Sequence, residues 1–236
     1  VVDTISLPIE HYIDLINQGK PFTLVRYGDG EWLSILGDKG RNCDGIKYTP
    51  LLQEELIRCL TEKKSYYYTL LKIAVTTQGS AINDFIVKNN IRVNWMEGTV
   101  FVAANRHGRL APFIEALRGR RILYVGPKHL SSIGRKVFPI KQFLEISSKD
   151  AFQFRKDIRN KIIEIADDYD FIGFSAGPAA KIIIHDLYDI IGRDKTMFDF
   201  GSLWDGYTGV YSRLYMQRQT WKDMMALNLG EKHELV

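Results

Sequence analysis

The feature that most constrains what this chain can fold into is an alternation: short runs rich in β-branched and aromatic residues recur between segments of helical periodicity. The runs cover residues 22–26, 65–70, 92–95, 121–125, 140–144, 171–174 and 196–200. The helical segments cover 8–18, 50–62, 79–89, 103–117, 151–168 and 179–191. Several of the strands are apolar throughout, as strands buried on both faces are, and the helices between them supply the crossovers that parallel neighbours need. The expected fold is α/β, a mainly parallel central sheet with helices on both faces (Rossmann-like).

Punctuation agrees with these boundaries. Pro8 suits a first helical turn, Gly19 can close that helix, and Thr49 before Pro50 reads as an N-cap. No internal repeat, low-complexity tract or Pro/Gly/Ser-rich linker divides the 236 residues, so one domain over 1–236 is expected, with 207–236 as a C-terminal helical segment. A hydrophobic fraction of 45% and a charged fraction of 25% are those of a globular protein rather than a disordered or fibrous one. The net charge, 32 − 28 = +4, suits phosphorylated ligands but falls short of a polybasic tail. Cys43 and Cys59 have neither the number of a disulfide framework nor the spacing of a zinc site. No apolar run reaches the roughly 18 to 20 residues needed to span a bilayer, and the N-terminus lacks the order of a signal peptide, so a cytoplasmic location is expected.

Chemistry concentrates in Phe22-Thr23-Leu24-Val25-Arg26-Tyr27-Gly28-Asp29-Gly30-Glu31-Trp32, an apolar strand that runs into a glycine-flanked pair of acids and a helix start. Ligands of open α/β sheets bind beyond the carboxyl ends of the strands, which is where Asp29 and Glu31 fall. In extended backbone, residues two apart project to the same side, and two carboxylates so placed can share a hard cation such as Mn²⁺ or Mg²⁺ while a diphosphate completes its oxygens. Gly28 lets backbone approach a ligand, and Arg26 can meet a phosphate with two donors. The same spacing also fits a plain helix start, with Asp29 as N-cap and Glu31 set against the helix dipole, and on spacing alone caps are the commoner case.

The stretch Val25-Arg26-Tyr27-Gly28-Asp29-Gly30-Glu31 resembles the strand and Asp-x-Glu motif of the GT-D superfamily of glycosyltransferases. Phe174-Ser175-Ala176-Gly177-Pro178-Ala179-Ala180-Lys181 and Phe198-Asp199-Phe200-Gly201-Ser202 resemble that family's late glycine-proline turn, helix and Asp-x-Gly segment. The resemblance runs from Phe22 to about Tyr207. It implies a nucleotide-sugar donor, commonly a UDP-sugar, with Mn²⁺ or Mg²⁺ held by Asp29 and Glu31, and a glycan or glycoconjugate acceptor. Such a metal would stabilise the departing diphosphate as a Lewis acid.

Beside that core, Gly177 and Pro178 can bring backbone N–H groups or a helix N-terminus to a phosphate or base, or can be an ordinary strand-to-helix turn. Gly126 and Lys128, in Val125-Gly126-Pro127-Lys128-His129, have the same shape. Asn105 and Arg106 interrupt an apolar region and can reach the donor, though a solvated helix face is the commoner role. A transferase of the inverting kind needs a base for the acceptor hydroxyl, and Asp205 and then Asp199 are the candidates. A hexosyl transfer with inversion is expected because no nucleophile presents itself. His185 and His233 lack partner spacings. A modified base in DNA is a second possible acceptor, with the basic residues at 118–121 in mind. A non-catalytic nucleotide-binding module, with Asp29 only capping a helix, is a third reading. Nothing in the sequence sets the oligomeric state.

Overall fold

The computed structural model describes residues 2–231. In chain order its elements are α1 (Ile9–Asn17), β1 (Thr23–Tyr27), α2 (Asp29–Ile35), α3 (Pro50–Thr61), β2 (Tyr67–Leu70), α4 (Lys72–Lys88), β3 (Trp95–Glu97), α5 (Val100–Arg106), α6 (Ala111–Arg118), β4 (Ile122–Gly126), α7 (Ile133–Lys136), β5 (Gln142–Glu145), α8 (Arg155–Ile165), β6 (Phe171–Phe174), α9 (Pro178–Ile191), β7 (Thr196–Asp199) and α10 (Gln219–Asn228). The strands form a seven-stranded sheet in the order β3-β2-β1-β7-β6-β4-β5, and every pairing is parallel. Each apolar run read from the sequence overlaps one of these strands, and the parallel α/β architecture is as expected.

Burial on both faces explains why those runs are apolar throughout. Val25 and Tyr27 of β1 enter one core layer with α2, α3, α4, α8 and α9, while Leu24 enters the other with α1, α5, α6, α7 and α10. The second layer is dense in aromatic rings, with Phe198 and Phe200 centroids 4.6 Å apart and Trp204 5.5 Å from Phe200.

The connections position the site. β1 and β6 send the chain to the first layer, through α2 and α9, whereas β4 and β7 send it to the second, through α7 and α10. Because β7 lies between β1 and β6, the chain diverges to opposite faces on both its sides. In open α/β sheets such divergence is where a crevice for ligands is expected, beyond the carboxyl ends of the strands.

Three helices differ from expectation for local reasons. The helix expected over 79–89 begins at Lys72, directly after β2, so the β-branched Val75-Thr76-Thr77 is helical. The helix expected over 103–117 is two, because Gly108 turns the chain at φ +65° and Pro112 starts the next helix. A Cβ at Gly108 would lie 2.4 Å from Leu227 Cδ2, so α10 packs on the bare glycine. The helix expected over 151–168 starts at Arg155 and ends in a tighter turn, Ala166–Asp168. Thr49 caps α3 as expected, its Oγ1 accepting from the Leu52 N–H at 3.2 Å. Of the helical segment expected over 207–236, two short turns, Gly206–Thr208 and Leu214–Gln217, and α10 are present; residues 232–236, His233 included, lie outside the described residues.

Candidate functional site

At the end of β1 the chain turns through Gly28, the N-cap of α2, which puts Asp29 and Glu31 in the first helical turn. Glu31 folds back so that its Oε2 accepts the Gly28 N–H at 2.9 Å, and its Oε1 meets Lys181 Nζ at 2.9 Å. Lys181 stands in the first turns of α9 and also reaches Asp199 Oδ2 at 2.9 Å and the Gly177 carbonyl at 3.2 Å. All three ammonium donors are thereby engaged. Asp199, fully buried at the end of β7, accepts from the Arg26 N–H at 3.3 Å and the Gly201 N–H at 3.0 Å. Burial opposes charge on Glu31, but the Lys181 ammonium and the Gly28 N–H outweigh it and hold the carboxyl below its usual range. Burial likewise opposes charge on Lys181, and Asp199 and Glu31 together raise its pKa. This tripod ties the ends of β1, β7 and β6 together, and Asp199 is shut off from solvent.

The two acids of the motif therefore differ. Both Glu31 oxygens are engaged and one lies against a cation, so Glu31 does not fit as a metal ligand in this arrangement. Asp29 is exposed. The Tyr48 hydroxyl is buried without a hydrogen-bond partner, and burial first, then Glu31 and Asp29, raise its pKa, which puts both acids in its neighbourhood. Among the described residues no group of three or more His, Cys, Asp or Glu side chains is placed to hold a metal ion. What fits a hard cation here is Asp29 alone, with water and a ligand's own oxygens, the way Mg²⁺ is often held beside phosphates.

Arginines stand close to these acids. Arg26 is buried, donates from Nη1 to the Phe200 carbonyl, and keeps an Nε with no partner. Burial pushes its pKa down, while Asp199, Tyr215 and Glu31 pull it back up. Arg106, at the exposed end of α5, lies 5.6 Å over the Tyr215 ring. Arg213 pairs with Asp44 through both nitrogens, at 2.8 and 3.2 Å. Tyr215 has its pKa raised by burial, and Arg213, Arg26 and Arg106 all act against that rise. Arg106 thus lies against the Tyr215 ring, and the charges of Arg213, Arg26 and Arg106 all act on its hydroxyl. Asp44 belongs to a loop, residues 38–48, whose Ile46 packs over Gly177 so closely that a Cβ there would lie 2.9 Å from Ile46 Cδ1.

The remaining expected residues divide. Gly177 (φ +55°) and the buried Pro178 make the turn into α9, but Ile46 covers it. Gly126 ends β4, and Lys128 is exposed just beyond it. Asn105 is fully buried and accepts from the Tyr207 hydroxyl at 2.7 Å and Asn228 Nδ2 at 2.9 Å, so it fastens the C-terminal segment. Asp205 sits near the ends of β4 and β7, bonded to His129 Nε2 at 3.3 Å and to the Ser212 hydroxyl. His185 is buried between Tyr66 and Glu62, and Cys43 and Cys59 are unpaired thiols.

The opposite, amino edge of the sheet holds an open cavity of about 590 Å³ lined by Phe22, Thr23, Tyr66, Tyr67, Asn94 and Arg193. Strand starts, not strand ends, frame it. The basic residues at 118–121 also serve this end of the molecule: Arg118 pairs with Glu115, Arg120 bonds the Asn17 carbonyl and Arg121 pairs with Asp170.

Three residues in these clusters had no role assigned from sequence. Lys181 is a cation inside the otherwise apolar start of α9, and a buried charge there demands acidic partners. His129 follows the Gly126-Pro127 turn at a strand's carboxyl end. Arg213 carries no local signal, since its place depends on the path of the C-terminal segment.

No protein-family model matches the chain, and a comparison with curated proteins finds no match. Solved structures do match, over 94% of this chain with a TM-score of 0.64. One is a selenomethionine-substituted structure of domain of unknown function 1792, 19% identical and covered over 94% of its length. Another is of the same domain, described as having a distinct glycosyltransferase fold, 18% identical and covered over 94%. A third is described as a new glycosyltransferase (DUF1792) from Streptococcus sanguinis, 18% identical and covered over 98%. With its seven parallel strands in this order, this chain has the distinct glycosyltransferase fold described for domain of unknown function 1792.

Proposed function

We propose that the protein transfers a sugar, of the hexosyl kind and with inversion, from a nucleotide-sugar donor such as a UDP-sugar to a hydroxyl of a glycan or glycoconjugate. The observation that carries this reading is the set of three arginines, Arg26, Arg106 and Arg213, whose charges act together on Tyr215 near the end of β7, with Arg106 lying over its ring. A diphosphate leaving group gathers negative charge as the glycosidic bond breaks, and preorganised guanidiniums are suited to meet it. Arg26 brings a partnerless Nε to that task. The tripod of Lys181, Glu31 and Asp199 holds the strand ends beneath. In this reading Asp29 would help hold a Mn²⁺ or Mg²⁺ ion arriving with the donor, and the ion would supply further charge stabilisation for the leaving group. Glu31 supports the turn instead of binding the ion.

Calorimetry with UDP tests the reading. The unaltered protein should bind UDP, and Arg106→Ala should weaken binding about tenfold or more, as loss of a charge-assisted contact does. Asp29→Ala should erase whatever Mn²⁺ adds to that affinity. Absence of UDP binding with and without Mn²⁺ removes the donor site.

A further inference from the structure

We propose that His129 takes the acceptor's proton in this transfer, and that Asp205 is a positioning residue behind it. The proposal rests on the glycosyl-transfer reading above and names its base.

His129 lies in the short turn Lys128–Ser132 that follows β4, and Asp205 in the turn that follows β7, so the two flank the end of β6. His129 Nε2 is 3.3 Å from Asp205 Oδ1. The second Asp205 oxygen takes the Ser212 hydroxyl, and the Thr208 hydroxyl and Val210 N–H bond the Asp205 carbonyl. The His129 side chain is 31% exposed, against 10% for Asp205. Asp205 is therefore held from several directions and turned inward, whereas its histidine partner meets solvent.

A carboxylate on Nε2 selects the tautomer with the proton on that nitrogen and leaves the Nδ1 lone pair to accept another. Among the described residues Nδ1 has no hydrogen-bond partner. The turn that carries the ring is itself fixed, since the Leu130 N–H bonds the Pro127 carbonyl at 2.9 Å and the Ser132 hydroxyl the His129 carbonyl at 3.4 Å. In the reaction the acceptor oxygen forms a bond to the anomeric carbon while its proton passes to His129 Nδ1. The bond from that carbon to the phosphate oxygen breaks, and its electron pair leaves with the nucleoside diphosphate. The imidazolium so formed is stabilised by the Asp205 carboxylate, which keeps its charge.

Release of UDP from UDP-sugars is the readout, with water standing in for the acceptor hydroxyl, across UDP-glucose, UDP-galactose and UDP-N-acetylglucosamine. His129→Ala and the bulkier His129→Gln should each lower kcat by about 10²- to 10⁴-fold with KM little changed, the range of general-base loss. Asp205→Asn should lower kcat by less. Free imidazole should restore turnover to His129→Ala and not to Asp205→Asn, a response that a purely structural role for the ring does not give. Unchanged kcat in both histidine variants, or a loss that imidazole leaves untouched in folded His129→Ala, overturns the assignment while leaving the transferase reading standing. An unaltered protein that neither binds UDP nor releases it from these donors overturns both.

Discussion

A lysine ammonium in a protein interior is tolerated only where acceptors surround it, and Lys181 has three: Glu31, Asp199 and the Gly177 carbonyl. Removing one member of such a group leaves uncompensated buried charge. Lys181→Met should therefore lower stability by about 3–5 kcal/mol, read from urea unfolding at pH 7. The pH dependence has a definite sign. Glu31's folded pKa lies below its unfolded value of about 4.3, so its contribution is full above that pH and is lost as pH falls through the folded value. Lys181's folded pKa is raised, so its contribution is full below about 10.4 and is lost as pH rises through the folded value. In Lys181→Met, Glu31 loses the cation that holds its pKa down and takes up a proton more readily, so the stability gap between variant and unaltered protein should narrow as pH falls from 7. A constant gap across that range would mean Glu31 does not depend on Lys181. The turn at Gly28 and the two acids after it were legible in the sequence as a strand end and helix start. Their unequal roles were not, because the partner that separates them stands 150 residues further along the chain.

Between elements, the C-terminal helix is joined to the body by a buried amide knot that sequence periodicity cannot reveal. Asn228 accepts the Leu110 N–H at 2.7 Å and donates to the Asn105 carbonyl at 3.0 Å, while the Tyr207 hydroxyl bonds Asn105 Oδ1 at 2.7 Å. Asn228→Ala would strand the Leu110 donor and cost about 1–3 kcal/mol for each buried group left unsatisfied. Hydrogen exchange at the Leu110 amide should accelerate in that variant; unaltered exchange would show that another acceptor replaces the amide. The knot also explains why Asn105 looked like a ligand contact: a polar residue inside an apolar stretch needs a partner, and sequence alone does not say whether it is a substrate or an asparagine 123 positions away. Periodicity served the strands well, since burial on both faces writes itself into every residue of a short run. It served α4, α5 and α6 less well, because their limits are set by Leu71, Gly108 and Pro112 and by what packs over them.

Over the whole molecule, strand order is the property that sets where a ligand crevice is expected, and only the alternation of elements, not their order in the sheet, could be read in advance. β7 enters between β1 and β6, and divergence of the connections follows from that insertion. No helix among the described residues is long and apolar enough to cross a membrane. A ligand confined to the folded state raises apparent stability, so UDP at a hundred times its Kd should add about 2.7 kcal/mol, seen as a higher Tm. No shift at any UDP concentration would place the guanidinium cluster outside donor binding.

Arg213 cannot greet an incoming anion empty-handed, because the aspartate at the tip of the 38–48 loop already holds its Nη1 and Nη2. A dianion that displaced Asp44 would release this tie to Arg213, leaving the loop held by the Arg41–Lys47 bridge and by the buried Ile46 and Tyr48. Protease cleavage within that segment should quicken when UDP is added, and Asp44→Ala should show the quicker rate without any nucleotide. Occupancy of the crevice would thus be announced at the surface, some way from where the sugar sits.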